Sequence, residues 1–101
     1  MDNKNTEYNN NFVNNIKEIV MKLELYYFES CPFCQMVLIF ISDFKNSIIL
    51  KDTKKVEYFR EELIETTGKK QVPCLTIDGK PMLESRDIIN FLSKNKDKWI
   101  M

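Results

Sequence analysis

The chain has 101 residues, the size of one small domain, and its 15 basic residues are matched by 15 acidic ones. This balance gives no electrostatic reason to expect nucleic acid or an anionic membrane as a partner. There is no histidine, which excludes Cys-His and Ser-His nucleophile pairs and histidine-ligated metals, and three cysteines cannot complete a four-thiolate zinc site within one chain.

Residues 1–20 read as a polar, asparagine-rich extension. Phe12, Ile16, Ile19 and Val20 recur in it at the spacing of a short amphipathic helix over 12–20. The extension packs on the domain, swaps to a partner or floats; the domain itself is expected over 21–101. No apolar h-region marks a signal peptide, so a cytoplasmic protein is expected. The longest uncharged apolar run, 36–41, is too short to cross a bilayer.

"KLELYYF" at 22–28 alternates, with Leu23, Leu25 and Tyr27 on one face, and predicts a strand. From 32 to 44 no residue breaks a helix. Phe33, Val37, Ile41 and Phe44 trace one stripe of it, and apolar residues nearly surround it, so a well-buried helix ending near Lys45 and Asn46 is expected. "SIILKD" at 47–52 predicts a second strand. Thr53 then caps a helix with Val56, Phe59 and Leu63 facing inward, and Gly68 ends it. "PCLTID" at 73–78 predicts a third strand. Asp78-Gly79 is a hairpin turn signal leading to a fourth strand over 80–83. Ser85 caps a last helix with Ile88, Phe91 and Leu92 inward. The order β-α-β-α-β-β-α predicts an α/β fold, a four-stranded mixed sheet with helices on both faces. Its first two strands should be parallel with a right-handed crossover, and the hairpin antiparallel.

The chemistry lies in "ESCPFCQM" at 29–36. Cys31 falls between the first strand and the first helix, and Pro32 occupies the first helical turn, where its missing N–H costs nothing. Unpaired backbone N–H groups and the positive end of the helix dipole then favour thiolate over thiol at the Cys31 sulfur. Cys34 lies one turn further in, on the same side, within disulfide reach and less exposed. The outer sulfur attacks and the inner one resolves the mixed disulfide. A bridge closing so short a loop is worth only about 2 kcal/mol before strain, so chemistry explains the pair better than stability does.

In this context the sequence resembles glutaredoxins, on the thioredoxin fold, over most of residues 22–95. Cys31-Pro32-Phe33-Cys34 is similar to the dithiol active site, Val72-Pro73 to the cis-proline loop, and Gly79, Met82, Glu84-Ser85 and Asp87-Ile88 to the turn, strand and helix start that hold glutathione. The resemblance implies a cis peptide at Val72–Pro73, with the Val72 backbone pairing with the cysteinyl part of glutathione. It implies the γ-glutamyl carboxylate at the helix start at Ser85, and the glycyl carboxylate near Gln71, Lys70 or Lys69. It also places Pro32 and Phe33 beside glutathione. Leu83 and Glu84 stand where short glutaredoxins usually carry a glycine pair, and Arg86 where they carry an aspartate. Glu84-Ser85 instead resembles the glutathione-transferase branch, in which a Glu-Ser pair holds the γ-glutamyl group. Glu29 lies where a lysine is common, and its charge opposes thiolate formation.

The expected activity is glutathione-dependent thiol–disulfide exchange in a monomer. Glutathione is the reducing co-substrate, glutathionylated or disulfide-bonded proteins are the partners, and no metal is expected. Two alternatives stand beside it: a redoxin of the same fold reduced by thioredoxin reductase, and a non-enzymatic iron–sulfur carrier, against which Pro32 argues. Cys74, next to Pro73, is read first as a small core residue and second as a third redox thiol. Tyr27 either lines the site or packs, and Trp99 is given no role.

Overall fold

The computed structural model describes residues 21–100. The extension and the helix expected over 1–20 lie outside the described residues. The elements in order are β1 (Leu23–Tyr27), α1 (Pro32–Phe40), a 3-10 segment (Ser42–Ser47), β2 (Ile49–Asp52), α2 (Glu57–Thr67), β3 (Cys74–Ile77), β4 (Lys80–Leu83), α3 (Ser85–Lys94) and α4 (Lys96–Trp99). The four strands form one mixed sheet in the order β2-β1-β3-β4. β1 runs parallel to β2, with Leu25 opposite Leu50, and antiparallel to β3, with Leu25 opposite Leu75. β3 and β4 pair antiparallel across Asp78-Gly79, whose φ values of 51° and 89° are those of a tight hairpin turn.

The alternation of side chains along a strand explains the two packed faces. Leu23 and Leu25 of β1 and Leu75 of β3 point to one side, where Val37 and Ile41 from the first helical region and Ile88 and Leu92 of α3 close the main core. Tyr26 and Cys74 point to the other side and are covered by Leu63 of α2. The expected element order is present, with α4 added. Trp99 of α4 is buried in the main core, its indole N–H donates to the Leu92 carbonyl at 2.8 Å, and its ring meets Phe44 edge-on at 5.6 Å. Tyr27 is half-buried and packs against the same core. Its carbonyl accepts from the Thr53 N–H at 2.8 Å, joining the ends of β1 and β2.

Three sequence expectations are corrected here. The first helix ends at Phe40, Ile41 leaves helical geometry, and Phe44 within the following turn has φ −127°. Ser42 and Asp43, residue types whose side chains compete for backbone bonds, open that turn. Nor is the helix buried all round. Only the side carrying Cys34 and Val37 meets the sheet and α3, while Phe33, Met36 and Ile39 are 62%, 47% and 70% exposed. Thr53 does not cap α2, which starts at Glu57 with Val56 as its cap residue. Asp52 organises the turn instead, its Oδ1 accepting from the N–H groups of Lys54 and Lys55 at 2.9 Å each. Gly68 ends α2 as expected, at φ 78°.

Candidate functional site

β1 delivers the chain to a short turn that closes when the Cys31 N–H donates to the Phe28 carbonyl at 3.3 Å. Cys31 is the N-cap of α1, with extended backbone angles of φ −84° and ψ 118°, and Pro32 is the first helical residue. The Cys31 carbonyl accepts the Gln35 N–H at 3.0 Å, which starts the helical ladder. The Cys34 N–H is then free of the ladder, and it donates to the Cys31 Sγ at 3.4 Å. A thiolate at Cys31 would thus receive an amide hydrogen bond and lie at the positive end of the helix. Glu29, the negative charge of concern in the sequence, sits 3.8 Å from the Lys55 ammonium, both side chains being exposed.

Cys31 is 8% exposed and Cys34 is fully buried. Burial pushes the Cys34 thiol up to about 12. A hydrogen bond with the Phe28 backbone works the other way, and the hydrogen bond and charge of Cys31 raise it further. Cys74 is also fully buried, and burial pushes it up to about 11. Cys74 lies in the small core with Tyr26 and Leu63, so the reading as a core residue describes its position.

Val72–Pro73 is a cis peptide, and β3 begins with the next residue. This loop faces the start of α3 across a cleft of about 560 Å³, lined by Phe33, Gln71, Val72, Pro73, Glu84, Ser85, Arg86 and Asp87. Six of the sequence-selected residues therefore meet at one place: Phe33, Gln71, Val72, Pro73, Glu84 and Ser85. Cys31, Pro32 and Cys34 are not on the wall, and the chain joins them to it through Phe33.

Ser85 is the first residue of α3 and not its cap. Glu84 holds the cap position at φ 77°, without a side-chain capping bond. The first bond of α3 runs from the Ile88 N–H to the Glu84 carbonyl. The N–H groups of Ser85, Arg86 and Asp87 therefore have no partner within the helix, and these residues line the cleft. Such a helix start is a ready site for a carboxylate. Glu84 is steadied by Gln71, whose Nε2 donates to its Oε2 at 3.4 Å. Asp87 entered the sequence reading as part of the helix start that resembles the glutathione-holding one, whereas Arg86 was not assigned a binding role, although the helix-start signal at Ser85 extends to the residues that complete its first turn.

A family model described as the glutathione S-transferase N-terminal domain matches residues 25–98. No curated protein matches the chain. Among solved structures it is similar to an epsilon-class glutathione S-transferase from housefly, Musca domestica, at 24% identity and TM-score 0.61, over 76% of this chain and 36% of that one. A delta-class glutathione transferase from Nilaparvata lugens shares 27% identity at TM-score 0.58, over 78% of this chain and 37% of that one. A glutathione transferase homolog from Drosophila mojavensis, solved with bound glutathione, shares 19% identity at TM-score 0.63, over 77% and 36%. The chain thus spans little more than a third of the length of these transferases. No helix among the described residues is long and apolar enough to cross a membrane.

Proposed function

We infer the function from what the match establishes: this chain belongs to the glutathione S-transferase N-terminal domain family and has a thioredoxin-like fold. We propose that it is a glutathione-dependent thiol–disulfide oxidoreductase of glutaredoxin type. The observation that carries the proposal is the amide of Cys34 aimed at the Cys31 sulfur.

Glutathione occupies the cleft between the cis-proline loop and α3, a reading supported by the free N–H groups of the α3 start that line it. Its cysteinyl backbone pairs with Val72, beside Pro73 and Phe33. The γ-glutamyl carboxylate meets the N–H groups of Ser85, Arg86 and Asp87, and the ammonium faces Glu84. Gln71 serves the glycyl end. Cys31 thiolate attacks the glutathione sulfur of a protein–glutathione disulfide. The S–S bond breaks, the protein sulfur leaves as thiolate and takes a proton from solvent, and Cys31 carries the glutathionyl group. A second glutathione thiolate attacks that group's sulfur, releasing glutathione disulfide and restoring the Cys31 thiolate.

Cys34 resolves protein disulfides by the same exchange. Burial raises its pKa and keeps it a thiol at neutral pH. Conversion of Cys31 to a disulfide removes the Cys31 charge from beside Cys34, although burial still holds the thiol high.

The test is a glutathione-reductase-coupled assay on a small glutathionylated disulfide, run beside a thioredoxin-reductase-coupled assay. Turnover is expected in the first and not the second, and the reverse pattern would refute the glutathione assignment. A second reading, transfer of glutathione to a carbon electrophile, is favoured by the family itself. Conjugation of 1-chloro-2,4-dinitrobenzene without any disulfide turnover would establish it in place of the first.

A further inference from the structure

At the end of β1 away from Cys31, a cleft of about 430 Å³ opens between the start of β1, the turn into β2 and α4. Leu23, Ile48, Ile49, Trp99 and Ile100 form its apolar wall. Leu23, Ile48 and Trp99 belong to the main core, and Ile100 is half-buried against it. Ile49, on an edge strand of the sheet, is 47% exposed. The wall is thus an extension of the core that lacks a cover among the described residues.

Met21 stands in the same wall and packs against the main core, so the chain that precedes it leaves from the cleft itself. That preceding sequence, outside the described residues, carries Phe12, Ile16, Ile19 and Val20. At i, i+4, i+7 and i+8 these fall on one helical face. A helix over 12–20 is shorter than the roughly 12–15 residues below which isolated helices are marginal in water, so it needs an apolar surface on which to bury that face. From Ile16 to Met21 a helix spans only about 7.5 Å, which keeps Ile16 and Ile19 within reach of the cleft. Between its apolar residues the segment brings Lys17 and Glu18, and the cleft offers Asp97 and Lys98, both exposed, so each charge has an opposite at hand. The short tether also gives the segment an effective concentration on the order of millimolar, which favours it over a second copy of the chain.

We propose that residues 12–20 dock in this cleft as an amphipathic helix of the same chain, with Ile16 and Ile19 against Ile48 and Ile100. The docked segment covers the open end of the core and braces α4 against the sheet. The length of β1 separates this contact from Cys31, so the docking stands independently of the oxidoreductase reading.

The experiment is nuclear Overhauser spectroscopy on the full chain with isotope-labelled isoleucine methyl groups. One sample is fully labelled. The other mixes labelled and unlabelled chains and is filtered for contacts between them. Cross-peaks from Ile16 or Ile19 to Ile48 or Ile100 are expected in the first sample and none in the filtered spectrum of the second. Absence of these cross-peaks from both would overturn the proposal. Their presence in the filtered spectrum would show that a second copy fills the cleft, and would overturn it equally. Urea unfolding supplies a second arm. Ile16→Ser/Ile19→Ser in the full chain is expected to raise the unfolding constant about tenfold, through lost apolar burial. In an Ile100→Ser background the same pair should raise it less than about twofold, because residues in contact are not additive. A pair without effect in the wild type, or an undiminished effect in the Ile100→Ser background, would contradict the docking.

Discussion

Cys34 and Cys74 are fully buried thiols on opposite faces of the sheet, pushed from 9.0 up to about 12 and about 11 by burial. Each holds a proton in the folded chain that the unfolded chain releases above pH 9.0. Their contribution to stability is complete below that pH and is lost as pH rises toward the folded values. By about pH 10 each should have cost on the order of 1 kcal/mol under reducing conditions. Urea unfolding at about pH 8 and about pH 10 checks this, with Cys74→Val expected to remove about half of the alkaline loss. An identical loss in that variant would show that Cys74 is not involved. The position of the cysteine pair at the first helix start was legible in the sequence because its signal is local: a cysteine, a proline and a helix start. Glu84 was legible only in part, because its positive φ and its bond to Gln71 arise from how the β4–α3 corner meets the cis-proline loop.

Between elements, Lys51 of β2 joins β1 and α2. Its ammonium, nearly buried, lies 2.9 Å from Glu24 and 2.7 Å from Glu62, and Tyr26 donates to the same Glu62 oxygen at 2.9 Å. Burial works to raise Glu24, but the bonds from Lys51 and Thr76 prevail and hold it below 4.5. The Lys51 bond holds Glu62 down likewise. Both groups therefore stabilise the fold above pH 4.5 and lose that contribution as pH falls through their lowered values. Lys51→Met should cost about 3 kcal/mol near neutral pH, since it leaves two carboxylates unpaired, and should flatten the acid limb of the stability profile. A variant as stable as the wild type would contradict this. Gly68 gives a second test. At φ 78° with open space around it, an alanine there meets no atom but adopts a left-handed backbone, at about 1 kcal/mol. A urea midpoint unchanged in Gly68→Ala would contradict it. Strands and hairpin were readable from period-two alternation and Asp78-Gly79. The extent of the first helix was not, because its apolar stripe runs on past Phe40 while the backbone turns at Ile41. The Lys51 network was also out of reach, since nothing local links residues 24, 51 and 62.

Across the whole molecule, a formal charge of zero conceals two clefts of opposite balance around one turn. Composition gave no reason for an electrostatic partner, and the gathering of Lys54, Arg60 and Lys70 around one cleft emerges only in the folded chain. Trp99 shows the same limit, because its core position depends on α4 folding back under Leu92 and Phe44. The central claim is that Cys31 alone accepts the glutathionyl group. Its most direct test is to expose Cys34→Ser and Cys31→Ser to glutathione disulfide, map the adduct by mass spectrometry and follow turnover of a small glutathionylated disulfide. The account predicts one glutathionyl group on Cys31 and retained turnover in Cys34→Ser, with neither in Cys31→Ser. An adduct on Cys74, or turnover by Cys31→Ser, would contradict it.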